Sequence, residues 1–168
     1  VALTPGDLRA AARLGGVIKP VARAERVRHG VAAFAGPAWL PASHPLAVTA
    51  GRENGVLIEG RHIDRLYFAG AGAGPDVTAA TLLDDAVEAV RYQGRAVYER
   101  PVSAVAEVKE AETGWFVRVP GPAACAREAF AACDARAASH EEGGTTWLLL
   151  AATSQARVAH ACARLRGE

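Results

Sequence analysis

Methionine is absent from the chain, position 1 included. An alternative start codon, or origin as a piece of something longer, would each account for that. Lysine occurs only at Lys19 and Lys109. The 19 basic and 18 acidic residues leave a formal charge of +1. Without a basic block or basic–aromatic interleaving, nothing points to nucleic acid. The three cysteines, Cys125, Cys133 and Cys162, lack paired CxxC spacing. That argues against a disulfide framework or a zinc site and for buried structural thiols. No apolar run approaches the roughly 20 residues that cross a bilayer. The first residues do not read as a charged-then-apolar leader, so the cytoplasm is the expected location. What the chain has in quantity is apolar side chain, 51% of 168 residues, enough for one domain or two small ones.

"LTPGDLRAAARLGG" reads as a helix. Thr4 is placed to cap it, Pro5 to begin it and Asp7 to complete a capping box. Leu8, Ala11, Ala12 and Leu14 form its apolar stripe, and Gly15-Gly16 stop it. "VIKPVARAERV" is a strand whose Pro20 requires an edge or a bulge. "GVAAFAGPAWLPA" is extended, broken at Pro37 and ended at Pro41. Runs 54–59 and 62–69 meet at Gly60-Arg61, which predicts an antiparallel hairpin. A glycine loop follows, then a helix over about 76–93 with Leu83, Val87 and Val90 on one face. Residues 95–112 read as a linker, with a possible strand at 102–108. After it come a strand ("GWFVRVP"), a helix ("PAACAREAFAACDA") with Pro122 at its start and Ala126, Phe130 and Cys133 on a common face, a short strand, a Gly143-Gly144 turn, a strong strand ("TTWLLLAAT") and a helix capped by Ser154. The fold class is therefore α+β: a mixed or antiparallel sheet covered by helices, with a second small βαββα unit of ferredoxin type.

The loop Gly70-Ala71-Gly72-Ala73-Gly74-Pro75 is not GxGxxG, because Pro75 takes the third glycine's slot. It is not a P-loop, since no Gly-Lys-Ser/Thr follows. It also follows a hairpin rather than opening a parallel βαβ unit. Two readings stay open. In one, Gly74 caps the helix and its free N–H groups face a ligand. In the other, the loop is a tight strand-to-helix connection packed against another chain or domain. Asp76 weighs for the second, since its charge repels an anion.

Four blocks in order, "GDLRAAARLGGVIKPVARAER", "LPASHPLA", "ENGVLIEG" and "YFAGAGAGPDVTAATLLDDAVEAV", are similar to the C-terminal part of the catalytic region of homoserine dehydrogenases. They span residues 1–93. The trailing unit resembles the ACT regulatory domain that follows this region in many bacterial members, without its final strand. The resemblance implies a partial substrate/dimerisation domain over 1–94, a linker over 95–112 and an ACT-like domain over 113–168. It implies NAD(P)-dependent interconversion of aspartate semialdehyde and homoserine, on the route to threonine and methionine. It implies cofactor contact at Gly74, with Gly70 and Gly72 in the same loop, given an N-terminal nucleotide-binding domain or partner. It also implies a homodimer.

The same resemblance places the family's nucleotide fold, and the segment with its conserved Glu, Asp and catalytic Lys, before this region. No catalytic residue, no metal ligand and no cofactor are therefore expected for these residues alone, and neither is activity. Lys19 matches a lysine of the family's Ile-Lys strand that is not the proton-transfer residue, and Lys109 reads as solvated. His44 reads as a turn residue, while His29, His62, His140 and His160 lack metal-ligand spacing. Asp84, Asp85 and Glu88 read as a solvated helix face, Glu141-Glu142 as a loop, and Trp115, Phe116 and Trp147 as core or interface. The ACT-like loop "VPGPAACA" lacks the family's Asp and has Ala123 or Ala124 where its Gly is expected, which argues against threonine feedback. The alternative reading is a non-catalytic dimerisation or amino-acid-sensing module. A repurposed enzyme with a pocket beside the glycine loop ranks third.

Overall fold

The computed structural model describes residues 2–27, 30–92, 105–106, 113–133 and 138–166. The linker expected at 95–112, Lys109 included, and His29 lie outside the described residues, apart from Val105–Ala106. The fold is α+β. Residues 1–42 and 103–168 form one compact unit and residues 43–102 another. The first unit thus joins the two ends of the chain.

In that unit, α1 (Pro5–Arg13) starts as its sequence dictates. The Thr4 hydroxyl accepts from the Asp7 backbone N–H at 3.3 Å, and the Thr4 N–H donates to the Asp7 carboxylate at 2.7 Å. Together these are the capping box. Gly15 ends the helix at φ +80°. The buried face is Asp7, Ala10 and Ala11, spaced i, i+3, i+4. The expected stripe through Leu8 is not the inward one, since Leu8 is 52% exposed. Indole rings fill the space beside this thin face. The Trp39 Nε1–H donates to the Ala11 carbonyl at 3.3 Å, and Gly6 lies against the Trp147 ring.

Gly16 opens β1 (Gly16–Val27), which pairs antiparallel with β2 (Gly30–Pro41) from Gly16↔Pro41 to Val27↔Gly30. Pro20 opposes Pro37. β1 is the edge strand, where Pro20 breaks no ladder. Contrary to expectation, β2 runs unbroken through Pro37. Among the described residues, the other neighbour of β2, β5 (Val105–Ala106), pairs with Val31 and Ala32, short of Pro37.

The second sheet of this unit has the order β6-β8-β7, from β6 (Thr113–Pro120), β7 (Ser139–Glu142) and β8 (Thr145–Thr153). β8 is antiparallel to both neighbours, so β6, α3 (Ala123–Ala129) and β7 form a split βαβ of ferredoxin type. Gly143 and Gly144, at φ +58° and +73°, make the two-residue turn between β7 and β8. Glu141 and Glu142 lie in β7 rather than in a loop. α3 is shorter than its sequence suggested: Phe130 caps it, and a 3₁₀ turn over Ala131–Cys133 follows. As expected, Ala126, Phe130 and Cys133 share a buried face. With Val119, Leu148 and Leu150 of the sheet, and Val158 and Ala161 of α4 (Gln155–Arg166), they form the core. Phe130 is wholly buried, which contributes roughly 2 kcal/mol. The Ser154 hydroxyl caps α4, accepting from the Arg157 N–H at 3.4 Å. Burial pushes the Cys133 thiol up, while Cys125 is exposed, against the expectation of three buried thiols.

The unit 43–102 contains a 3₁₀ turn (Pro45–Ala47), the hairpin β3 (Glu53–Gly60) and β4 (Asp64–Ala71), and α2 (Pro75–Tyr92). The hairpin turn is Arg61-His62-Ile63 rather than Gly60-Arg61, since Gly60 pairs with Asp64. Asp64 takes the left-handed conformation at φ +57° that closes a three-residue loop. Gly55 is where the 3₁₀ segment meets the hairpin: a Cβ there would lie 2.7 Å from the Thr49 Oγ1. None of residues 43–91 is buried. The face through Leu83, Val87 and Val90 exists on α2, but its members are 68%, 48% and 77% exposed.

Candidate functional site

The glycine loop connects β4 to α2, and the hairpin register decides what stands beside it. Asn54 pairs with Gly70 and Glu53 with Ala71. Arg52 therefore runs just past the ladder, alongside the loop, and its carbonyl accepts from the Gly72 N–H at 2.8 Å. A Cβ on Gly72 would overlap the Asn54 amide. Gly74 holds φ +135°, a conformation that favours glycine, and a Cβ there would lie 3.1 Å from the Arg52 Nη1. The Thr78 N–H donates to the Gly74 carbonyl at 3.0 Å, which makes Gly74 the residue before the first turn of α2. Gly70 has nothing within 4 Å of its would-be Cβ.

These groups border a depression of about 370 Å³ lined by Ala50, Arg52, Glu53, Gly74, Asp76 and Val77 among others. Pro75 brings no N–H to the helix start, and Gly72's is used by Arg52. By helix geometry, the N–H groups of Asp76 and Val77 remain for an outside acceptor. Arg52 adds a cation, while Glu53 and Asp76 add two carboxylates. All three are exposed, so water and salt screen them. This arrangement can give one anionic or polar group a backbone contact and a guanidinium. It does not cradle a dinucleotide.

The other candidates disperse. His44 does what its turn position suggested, with its Nδ1 accepting from the Leu46 N–H at 3.2 Å. His62 stands in the hairpin turn, His160 on α4, and His140 on β7, where it stacks on Trp147 at 6.0 Å between centroids. Among the described residues, no three His, Cys, Asp or Glu gather as metal ligands. Lys19 lies half-buried on the edge strand β1. Asp84, Asp85 and Glu88 are exposed on α2. The Glu141 carboxylate accepts from the Ala123 N–H at 2.9 Å, at the start of α3. Trp115 donates to the Thr153 carbonyl at 3.0 Å.

Sequence reasoning missed Arg52 and Asn54. The register held the signal: with the three-residue turn placed correctly, counting back along the ladder sets both against the loop. It also missed the reach of Asp7. Besides the capping box, its carboxylate accepts from the Trp147 Nε1–H at 2.7 Å and the Arg118 Nη1 at 2.6 Å. Burial alone would raise its pKa. The bonds from Trp147 and Thr4 and the charge of Arg118 outweigh that and hold it below the ordinary value.

Fold and site describe an α+β chain that offers a glycine loop at a helix N-terminus, with no nucleotide fold among its described residues. The chain belongs to the homoserine dehydrogenase family, whose model matches residues 1–87. Homoserine dehydrogenase of Mycobacterium leprae (strain TN) is 39% identical over 94 residues, which is 53% of this chain and 21% of that protein. The enzyme of Lactococcus lactis subsp. lactis (strain IL1403) is 39% identical over 87 residues, covering 52% of this chain and 20% of that protein. The matched stretch thus spans about a fifth of these relatives. A homoserine dehydrogenase structure from Thiobacillus denitrificans overlays 99% of this chain on 42% of its own, with TM-score 0.76 and 22% identity. One from S. aureus at pH 7.0 covers 94% of this chain, with TM-score 0.67 and 18% identity. At such identities the two overlays speak for the fold.

Proposed function

We propose that these residues are the C-terminal portion of a homoserine dehydrogenase, which interconverts aspartate semialdehyde and homoserine with NAD(P) in threonine and methionine synthesis. The observation that carries this is the family match over 1–87, which ends inside α2, just past the glycine loop. In this reading 1–94 is part of the substrate and dimerisation domain, 95–112 a linker and 113–168 an ACT-like domain. Gly74, with Gly70 and Gly72, would meet the cofactor, and Arg52 would supply positive charge beside it. The nicotinamide, when bound, supplies the hydride chemistry. The chain's own part is backbone approach at the loop, with no side chain among the described residues placed to move a proton to a carbonyl. These residues alone are therefore inactive, and an N-terminal nucleotide-binding lobe completes the enzyme. The test is an assay with aspartate semialdehyde and NADPH, with and without such a lobe. Turnover by residues 1–168 unaided would refute the reading, as would no turnover with the lobe bound.

A second reading, a non-catalytic dimerisation or amino-acid-sensing module in the cytoplasm, draws on a different observation. Among its described residues the unit 43–102 buries nothing of its own, while Phe68 and Leu83 are 57% and 68% exposed. Light scattering with amino-acid titration by calorimetry separates the two. A dimer that takes an amino acid and no nucleotide, even with the lobe present, favours the module.

A further inference from the structure

Asp7 is the one charged side chain among the described residues that is buried, at 3% exposure. One of its oxygens accepts from the Trp147 indole at 2.7 Å. The other accepts from Arg118 at 2.6 Å, from the Thr4 N–H at 2.7 Å and from the Thr4 hydroxyl at 2.9 Å. Arg118 and Trp147 face each other across β6 and β8. They stand on the sheet face away from the core, because the neighbouring positions Val119 and Leu148 point into it. The carboxylate therefore fastens α1 to that free face. An Arg9–Glu142 contact of 3.4 Å adds a weaker link to β7.

The other flank of α1 is held differently. Trp39 of β2 donates to the Ala11 carbonyl at 3.3 Å, and Ala10 and Ala11 are wholly buried. Gly16, at the start of β1, is packed so closely that a Cβ would overlap the Leu40 carbonyl and the Trp39 ring. Neither end of this arrangement can slide without moving the helix.

We propose that α1 is a coupling element, locked by Asp7 to the β6–β8 face and by Trp39 to the β1–β2 ribbon, so that events on the one sheet are passed to the other. The lock has two states because of its chemistry. A buried carboxylate stripped of its donors is too costly to persist, so Asp7 is either fully engaged or out in water with the first turn of α1. Intermediate positions would strand the charge. A two-state element biased from both sides is what coupling requires. Asp7 is a positioning residue, and the inference does not depend on the enzymatic reading. It gives residues 113–166 a physical route to the family-matched residues 5–41.

The test uses the full chain labelled with nitrogen-15. Its three tryptophans give three indole N–H signals, assigned by Trp→Phe substitution. Asp7→Asn weakens the lock while keeping the shape. The expected result is a shifted Trp39 indole signal and amide exchange faster by about tenfold or more at 39–42, with the Trp115 indole, on the core face, unchanged. Should Asp7→Asn not fold, Trp147→Phe removes one donor and is read in the same way. A change confined to Trp147 and the first turn of α1 overturns the proposal. So does a uniform loss of protection that includes Trp115, which is what a merely structural role would give.

Discussion

A carboxylate taken out of water must have its lone pairs used, or it costs several kcal/mol. Asp7 meets that condition with four donor groups, and its removal strands them. Asp7→Ala should lower unfolding free energy by about 3 kcal/mol in urea titrations followed by tryptophan fluorescence. The same carboxylate makes stability acid-sensitive. Its folded pKa lies below the ordinary 3.8, so its stabilisation is present above that value and is lost as pH falls through the folded pKa. The groups around it are Arg118 on β6, His140 stacked on Trp147, and the Arg9–Glu142 pair. Glu142 is a second carboxylate among these, so the comparison is with Asp7→Asn. That variant should lose the part of the acid dependence that belongs to residue 7. Equal acid midpoints in both proteins would contradict the assignment. Thr153 is the opposite case, a buried hydroxyl with no partner among the described residues. Thr153→Val keeps the shape and removes the orphaned oxygen. It should leave the melting temperature unchanged or raise it, with a gain of up to about 1 kcal/mol.

At the scale of elements, glycine does its work at contacts. Gly16→Ala would drive a methyl into the Leu40 carbonyl and the Trp39 ring, and a backbone oxygen cannot step aside as a flexible side chain can. A loss of roughly 2 kcal/mol is expected in thermal denaturation, against little change for Gly15→Asn, whose site is open and left-handed. These elements also show what the sequence could and could not disclose. The capping box of α1, the Ser154 cap, the shared face of Ala126, Phe130 and Cys133, and the glycine loop entering α2 were all legible. Each is set by residues within a few positions of one another. The hairpin turn was misplaced because Asp64 adopts a backbone conformation usually left to glycine or asparagine. The inward face of α1 was misread because its partners are indoles far along the chain, and large rings suit alanines better than leucines. Arg52 escaped notice for a related reason: its place beside Gly74 depends on register, and a one-residue error in a turn moves every pairing after it.

For the molecule as a whole, the compact unit made from 1–42 and 103–168 holds every buried side chain described, and the unit 43–102 holds none. Apolar surface of that extent on α2 and the hairpin is expected to be covered in solution. If a second copy covers it, light scattering will give a particle of twice the 17.4 kDa chain mass. Leu83→Glu, at a position 68% exposed within the chain, will then return it to a monomer without loss of helix content. A monomeric wild-type chain would count against the dimer.

The partnership of Asp7 with Trp147 also sets a timetable. The two are separated by 140 residues, and a ribosome adding about 5–20 residues per second needs roughly seven to thirty seconds to join them. Through that interval the helix has its cap and, once Trp39 has been made, one indole beside its thin alanine face, but not the Trp147 ring or the donors of the sheet. Helix α1 is thus made well before the sheet face it rests on, and a chaperone or a pause in translation would act on it within that interval.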